Sequence, residues 1–451
     1  MNLLLEELVK VVDGKILQQN RRQTAITGAV IDSRIAKKND LFIPIMGEHN
    51  DGHCFIKNAA DQGCVISLTE KTDLTFPETM SIIKVDSTFK ALQAIAAYQR
   101  EISEVMTIAI TGSSGKTTTK DLIASVLGIK YAVYKTQGNY NNVYGVPLTL
   151  LAIKPEHEIA VVEMGMDHLH EIHTSIGLVK PHIAVMTNIG TAHMEKLGSQ
   201  ENILKAKSEI FETMNEQDYV ILNGDDPYLN TIQKRDFTII RVGIKSPCAL
   251  SADHIGFDTT GVNFEADGQQ WHFKYPGIHN VYNCLMAIAI AKKLKMTHKE
   301  IQLGFDAFVP SGNRMTLVHC GDIDVLNDAY NANPESMKAA MDSLKHMAKK
   351  RKVAVLGDML ELGNYAKEGH QQVGQYAADI VDLLIGIGEE SHEMIKAAKT
   401  IKPQMPCFWF ENMAIAIEQI NPLLKAGDTV LLKASNGMHL EKLIQIIQKG
   451  N

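Results

Sequence analysis

Short, almost wholly apolar runs alternate along the chain with longer stretches in which apolar residues recur at helical spacing, and the rhythm changes twice. From 1 to about 101 the runs are brief and broken by turn signals. Lys37-Lys38-Asn39-Asp40 ahead of the apolar run 41–45 is one, and the pattern predicts a separate small α/β domain. From about 102 a strand-then-helix repeat sets in. The apolar runs 105–110, 159–163, 183–187 and 219–223 are separated by helical stretches, the pattern of strands buried on both faces of a parallel sheet. Over 251–276 apolar and polar residues alternate, with Gly261 and Gly268 at turn positions, predicting a small antiparallel appendage ahead of a helix over 280–294. Pro310-Ser311-Gly312-Asn313 reads as a hinge. Beyond it, runs at 353–357, 383–388 and 429–433 alternate with amphipathic helices over 334–348 and 439–447, so a third, Rossmann-like α/β domain is the simplest account. The expected division is therefore 1–101, 102–312 and 313–451, with a parallel-sheet domain in the centre.

Composition narrows the class. With 451 residues, 45% of them hydrophobic and 22% charged, the chain has material for large cores, and its length suits about three domains. The formal net charge of −7 argues against a nucleic-acid partner, which needs a basic face to displace counterions. Cys54, Cys64, Cys248, Cys284, Cys320 and Cys407 are scattered without a C-x-x-C pair, which argues against a disulfide framework or a zinc site and fits a reducing cytoplasm. No apolar run approaches the length of a membrane helix, and Glu6, Glu7 and Asp13 interrupt the leucines of the N-terminus. A cytoplasmic monomer without membrane insertion is expected.

The sharpest chemical signal lies at 111–120, Thr111-Gly112-Ser113-Ser114-Gly115-Lys116-Thr117-Thr118-Thr119-Lys120, between the apolar run 105–110 and a helical stretch over 121–127. Glycines let backbone N–H groups close around phosphate oxygens, and the helix N-terminus adds partial positive charge. Lys116 can reach the outer phosphates, and Thr117 offers a hydroxyl to Mg²⁺. The common form of this loop has glycine five residues before Gly115, where this chain has Ile110, so the pattern is the shorter G-x-x-G-K-T. A chance turn rich in Ser, Thr and Gly would not need lysine and threonine at a strand-to-helix junction. Nucleotide triphosphate binding is the expectation.

Other candidates follow from placement. Glu163 ends the apolar run 159–162, at the sheet edge beside the loop, where a Mg²⁺ ligand belongs. His193 also follows a buried-type strand, within Thr187-Asn188-Ile189-Gly190-Thr191-Ala192-His193-Met194-Glu195, although a lone histidine among seventeen is more often structural. The run 205–211 is read as opening a helix toward the same edge, where Lys207 would ordinarily be a solvated charge or a phosphate partner.

Taken in order, G-S-S-G-K-T, V-V-E-M-G, T-N-I-G-T-A-H-M-E, A-K-S-E-I-F and P-G-I-H-N-V-Y-N resemble the Mur ligase superfamily of ATP-dependent amide-forming enzymes, over essentially the whole chain. The runs D-A-Y-N-A-N-P-E-S-M at 328–337, G-D-M-L-E-L-G at 357–363 and N-Y-N-N-V-Y-G-V-P at 139–147 look like the branch that adds D-alanyl-D-alanine to a UDP-N-acetylmuramoyl-tripeptide. The branch that adds the third amino acid carries Tyr-x-His-x-Pro-Asp where this chain has Tyr330-Asn331-Ala332-Asn333-Pro334-Glu335. Asp32-Ser33-Arg34 with the run 47–53 resembles the uridine-nucleotide domain of the later-acting ligases.

That resemblance implies roles. ATP would be held by 111–118, with Lys116 on the β- and γ-phosphates, Asn283 near the adenine, and Arg314 and Asp328 reaching phosphate and ribose. Arg314 and Asp328 could equally form an interdomain ion pair. Two Mg²⁺ ions are implied, with Thr117 and Glu163 at one and His193 at the other. Lys207 matches the lysine that the family carbamylates with CO₂, turning a cation into a carboxylate-like group. Ser33, Arg34, Asn139, Asn142, Asn331, Asn333 and Ser336 are candidates for contacting the two peptide substrates. A folate polyglutamate ligase shares the loop, but about a hundred residues precede the loop here. A regulatory GTPase would carry an Asn-Lys-x-Asp element, which is missing, and a protein that kept only the fold would not need Lys116, Thr117, Glu163, His193 and Lys207 together.

Overall fold

The computed structural model describes residues 1, 3–20, 25–47, 50–233, 236–245, 247–258, 260–312 and 314–450. Three sheets follow one another along the chain. The first has five strands in the order Lys15–Gln18, Ser81–Lys84, Ile66–Thr69, Asp40–Phe42, Gly28–Val30, with only the first pair antiparallel. Its strand Asp40–Phe42 is shorter than the apolar run 41–45, because Pro44 has no N–H to continue the ladder. The helix Thr88–Ser103 packs this sheet against the next; Gln99 donates to the Ile153 carbonyl at 3.0 Å, and Phe89 meets Tyr144 edge-on at 5.0 Å.

The second sheet has nine strands, with Met106–Thr111 lying between Ile183–Met186 and Ile159–Glu163 in its parallel part. All four apolar runs predicted here are strands, and their residues are buried on both faces, as an all-parallel core requires. The alternating segment is the expected antiparallel appendage, Leu250–Asp258, Gly261–Ala266 and Gln269–Phe273. Its second turn uses Asp267 and Gly268 at φ 55° and 68°, the left-handed pair that a tight hairpin demands.

The third sheet runs Thr316–Cys320, Ile323–Asn327, Thr429–Lys433, Lys352–Gly357, Leu383–Ile387, Cys407–Phe410, parallel except for its first pair. Several helix boundaries differ from expectation: the stretches 121–127 and 280–294 belong to Lys116–Leu127 and Ile278–Lys293, and two further differences bear on function or on the C-terminal end. The C-terminal helix is Lys442–Gly450 rather than 439–447, because His439 sits at φ 54° and breaks the preceding 3₁₀ turn from it. The helix expected to open at 205 instead closes there: it is Gln200–Ser208, started by Ser199, whose side chain accepts from the Asn202 N–H at 3.2 Å. Lys207 is thus in its last turn. Of the hinge, Gly312 has φ 66°, while Asn313 lies outside the described residues, as do Glu48 and His49 of the run 47–53.

Candidate active site

The loop 111–115 leaves the C-terminal end of Met106–Thr111 and feeds the helix Lys116–Leu127, whose N-cap Gly115 has φ 80°. Gly112, at φ 149°, has no room for a side chain, since a Cβ would collide with the Thr187 hydroxyl. Neighbouring residues fix the loop from the adjacent strand end. Asn188 accepts from the Ser113 N–H at 3.0 Å through its carbonyl and from the Ser114 N–H at 2.9 Å through its side chain, and Thr187 Oγ1 donates to the Ser114 carbonyl at 2.6 Å. Lys116 Nζ folds back onto the Gly112 carbonyl at 2.7 Å. Burial pushes its ammonium below the ordinary lysine range, with Glu163 pulling the other way. The Thr111 and Ser113 hydroxyls are buried without a hydrogen-bond partner among the described residues. A half-buried cation and two hydroxyls free to donate around a glycine loop fit an anion.

A cavity of about 770 Å³ opens over the loop. Ser113, Ser114, Gly115, Lys116, Thr117 and Thr118 line it, whereas Thr111 and Gly112 are not part of its lining. Glu163 is buried at the cavity wall, accepting from Thr117 Oγ1 and Asn141 Nδ2, each at 2.8 Å, with Lys120 Nζ 3.6 Å away. A hydroxyl and a carboxylate this close form the pair that a hard cation bridging phosphates takes, because Mg²⁺ keeps waters and needs only one or two carboxylates. Among the described residues no group of three or more His, Cys, Asp and Glu is arranged to hold a metal ion by itself.

His193 also lines the cavity, at φ 63°, and its Nδ1 lies 3.2 Å from Asp167 Oδ1 and 3.1 Å from Glu361 Oε2. Lys207 lies behind the cavity rather than in its lining. It is fully buried and its Nζ has no hydrogen-bond partner among the described residues; burial, then the charge of Lys116, pushes the amine far down. A buried amine without a partner among the described residues, its pKa pushed down, suits reaction with CO₂ better than it suits a structural lysine.

The remaining candidates divide. Asn283 lines the cavity but its amide is largely committed, accepting from Thr119 Oγ1 at 3.0 Å and donating to Asn280 Oδ1 at 3.2 Å. Arg314 lies over the Tyr330 ring, 4.0 Å from its centroid, and both line the cavity. Asp328 does not pair with Arg314: it takes Lys433 Nζ at 2.6 Å and the Met315 N–H at 3.2 Å. Asn139, Asn142 and Asn331 line the cavity too. Asn333 and Ser336 do so while capping the helix Pro334–Met347; Asn333 Oδ1 accepts from the Ser336 N–H at 2.8 Å, and Asn333 Nδ2 donates to Ser114 Oγ at 3.0 Å. Ser33 and Arg34 sit on the first sheet's flank outside the cavity lining, with Arg34 exposed and paired to Asp32 at 2.7 Å.

Family models match nearly end to end: the Mur ligase family catalytic domain at 25–100, the Mur ligase middle domain at 110–291, and the Mur ligase glutamate ligase domain at 313–436. A curated protein of Bacillus subtilis, named UDP-N-acetylmuramoyl-tripeptide--D-alanyl-D-alanine ligase, is 36% identical over 450 residues, covering 98% of this chain and 97% of its own. This chain belongs to the Mur ligase family. Among solved structures similar to this Mur ligase, MurF from Acinetobacter baumannii superposes with a TM-score of 0.91 at 29% identity, covering 100% of this chain and 99% of that one. MurF ligase from Thermotoga maritima, in complex with ADP, gives 0.82 at 26% identity, covering 94% and 97%.

Sequence reasoning missed several residues that this Mur ligase brings to the cavity. Asn141 and Glu361 lay inside quoted runs, but nothing in the linear pattern said which member of each run would point inward. Tyr330 likewise stood inside a quoted run, whereas Asp167 and Lys433 carried no signal of their own.

Proposed function

We propose that this Mur ligase joins D-alanyl-D-alanine to UDP-N-acetylmuramoyl-tripeptide with hydrolysis of ATP to ADP, in the synthesis of peptidoglycan precursors. The observation that carries the reading is the end-to-end match, at 36% identity, to a curated ligase of that name. The division of labour follows the chain: 1–101 for the uridine nucleotide, 102–312 for ATP, 313–451 for the dipeptide. The proposal further assigns the reaction to a monomer in the cytoplasm. No helix among the described residues is long and apolar enough to cross a membrane.

A carboxylate is a poor acyl donor, because its leaving group would be oxide. Transfer of the γ-phosphoryl onto the tripeptide's terminal carboxylate gives an acyl phosphate and ADP. The neutral dipeptide amine attacks the acyl carbon, and the tetrahedral adduct expels phosphate, which takes up the proton lost from nitrogen, leaving the amide. The protein's part is positioning and charge stabilisation, with no enzyme nucleophile. Lys116 leaves the Gly112 carbonyl for the phosphates, and the loop amides share the negative charge. Thr117 and Glu163 are assigned to one Mg²⁺, and His193 with carbamylated Lys207 to a second. Bound there, Mg²⁺ neutralises phosphate charge and polarises the transferring group.

A coupled assay tests the reading. Phosphate release should require ATP, UDP-N-acetylmuramoyl-tripeptide and D-alanyl-D-alanine together, and mass spectrometry should find the pentapeptide. Phosphate release that ignores the dipeptide would refute it.

A further inference from the structure

The G-D-M-L-E-L-G run at 357–363 has no part in the activation step above, yet successive backbone groups of it are tied down. The Asp358 carbonyl accepts from the Ser435 N–H at 3.1 Å, the Met359 N–H donates to His370 Nε2 at 3.1 Å, and the Leu360 N–H donates to Ser435 Oγ at 2.9 Å. Asp358 Oδ1 also accepts from the Ser391 N–H at 2.7 Å. The next residue, Glu361, is therefore presented from a fixed loop. One of its oxygens, Oε2, meets His193; the side chain remains 46% exposed, and among the described residues Oε1 has no partner.

Glu361 borders a second cavity of about 210 Å³, with Tyr330, Asn331, Leu360, Ser435 and Asn436. That volume is below the roughly 300–1,000 Å³ of sites for drug-sized ligands, so it suits a molecule of dipeptide size. Glu361 is the only charged side chain among its lining residues, which favours a ligand with a cationic end. Leu360, 53% exposed, offers apolar surface to a small side chain. Tyr330 and Asn331 also line the main cavity, so the two spaces adjoin.

We propose that this side cavity seats the incoming short peptide and that the Glu361 carboxylate anchors its ammonium group. The anchor lies on the His193 side, so the amine end points toward the main cavity, where the acyl phosphate forms, and the peptide's own carboxylate lies among the uncharged amides of Asn331 and Asn436. The inference rests on the proposed ligase reaction and adds a positioning residue to it.

The test is steady-state kinetics of Glu361→Gln and Glu361→Asp with ATP, Mg²⁺ and UDP-tripeptide saturating and D-alanyl-D-alanine varied. Loss of one charge-assisted contact should raise the dipeptide KM roughly tenfold to a hundredfold in the glutamine variant. The KM for ATP and for UDP-tripeptide should hold, and aspartate should restore part of the loss. In the same preparations D-lactoyl-D-alanine, with a hydroxyl in place of the ammonium, should inhibit wild type and Glu361→Gln equally. An unchanged dipeptide KM, a raised Mg²⁺ requirement in its place, or equal weakening of both ligands would overturn the assignment of Glu361. A wild-type enzyme indifferent to the dipeptide would instead remove the ligase reading beneath it.

Discussion

Lys207 carries the sharpest residue-scale expectation. A charged ammonium without a partner in a dry interior is costly, and burial accordingly drives this amine toward its neutral form. Only the neutral form reacts with CO₂, the nitrogen lone pair forming a bond to carbon as a proton departs, so a depressed pKa favours carbamate at neutral pH. Labelled CO₂ should therefore be retained by the wild type and not by Lys207→Ala. That variant should lose most activity, with added short carboxylates restoring part of it; full activity in Lys207→Ala would remove its role. Lys116→Ala deletes the cation beneath the phosphates, and kcat should fall by about 10²–10³ or more, the scale of losing one oriented donor to developing charge. Glu163→Gln keeps the shape of the Thr117 contact while halving the carboxylate's donor capacity, so the Mg²⁺ concentration for half-maximal rate should rise. A normal metal titration would take Glu163 out of the site.

At the scale of elements, the loop that carries Glu361 depends on a neutral imidazole. His370 Nε2 accepts from the Met359 N–H, and its Nδ1 donates to the Ala366 carbonyl at 2.6 Å, leaving no place for a second proton. Burial lowers its pKa below the unfolded value of about 6.5. The unfolded chain then binds the proton more readily, so this site's contribution is intact above about pH 6.5 and fades as pH falls through it. Urea midpoints at about pH 7.5 and about pH 5.5 should differ more for wild type than for His370→Gln; equal differences would contradict the assignment. Elements were also what the linear pattern conveyed best. Buried parallel strands announce themselves as apolar runs, and Ile159–Glu163, Tyr219–Asn223 and Thr429–Lys433 have the predicted bounds. Lys207 was misplaced within its helix because the start signal, Ser199, stands eight residues upstream of it and outside the run that drew notice. Asp167 was invisible because it meets His193 only through the fold, and the capping of a helix and the hold on Ser114 by Asn333, which lines the cavity, likewise arise only in the folded chain.

Across the whole molecule, several contacts tie the third domain to the second, and three of them begin in loops assigned to phosphate or metal. Ser114 meets Asn333, Thr191 Oγ1 donates to Glu335 Oε2 at 3.1 Å, and His193 meets Glu361. Filling the cavity and docking the third domain must then favour each other, because a coupling free energy acts equally in both directions. Glu335→Ala removes one contact without touching the glycine loop or the core. Its expected signature is a larger radius of gyration in the free protein, a smaller excess once ATP and UDP-tripeptide are added, and a KM for ATP raised roughly fivefold or more, the low end of measured couplings. The pivot for such movement is the segment around Gly312, whose φ of 66° a glycine tolerates freely. Small-angle scattering on wild type and variant, each with and without the two ligands, decides the matter. Four superimposable curves would mean that the third domain does not swing and that the cavity is filled without closure.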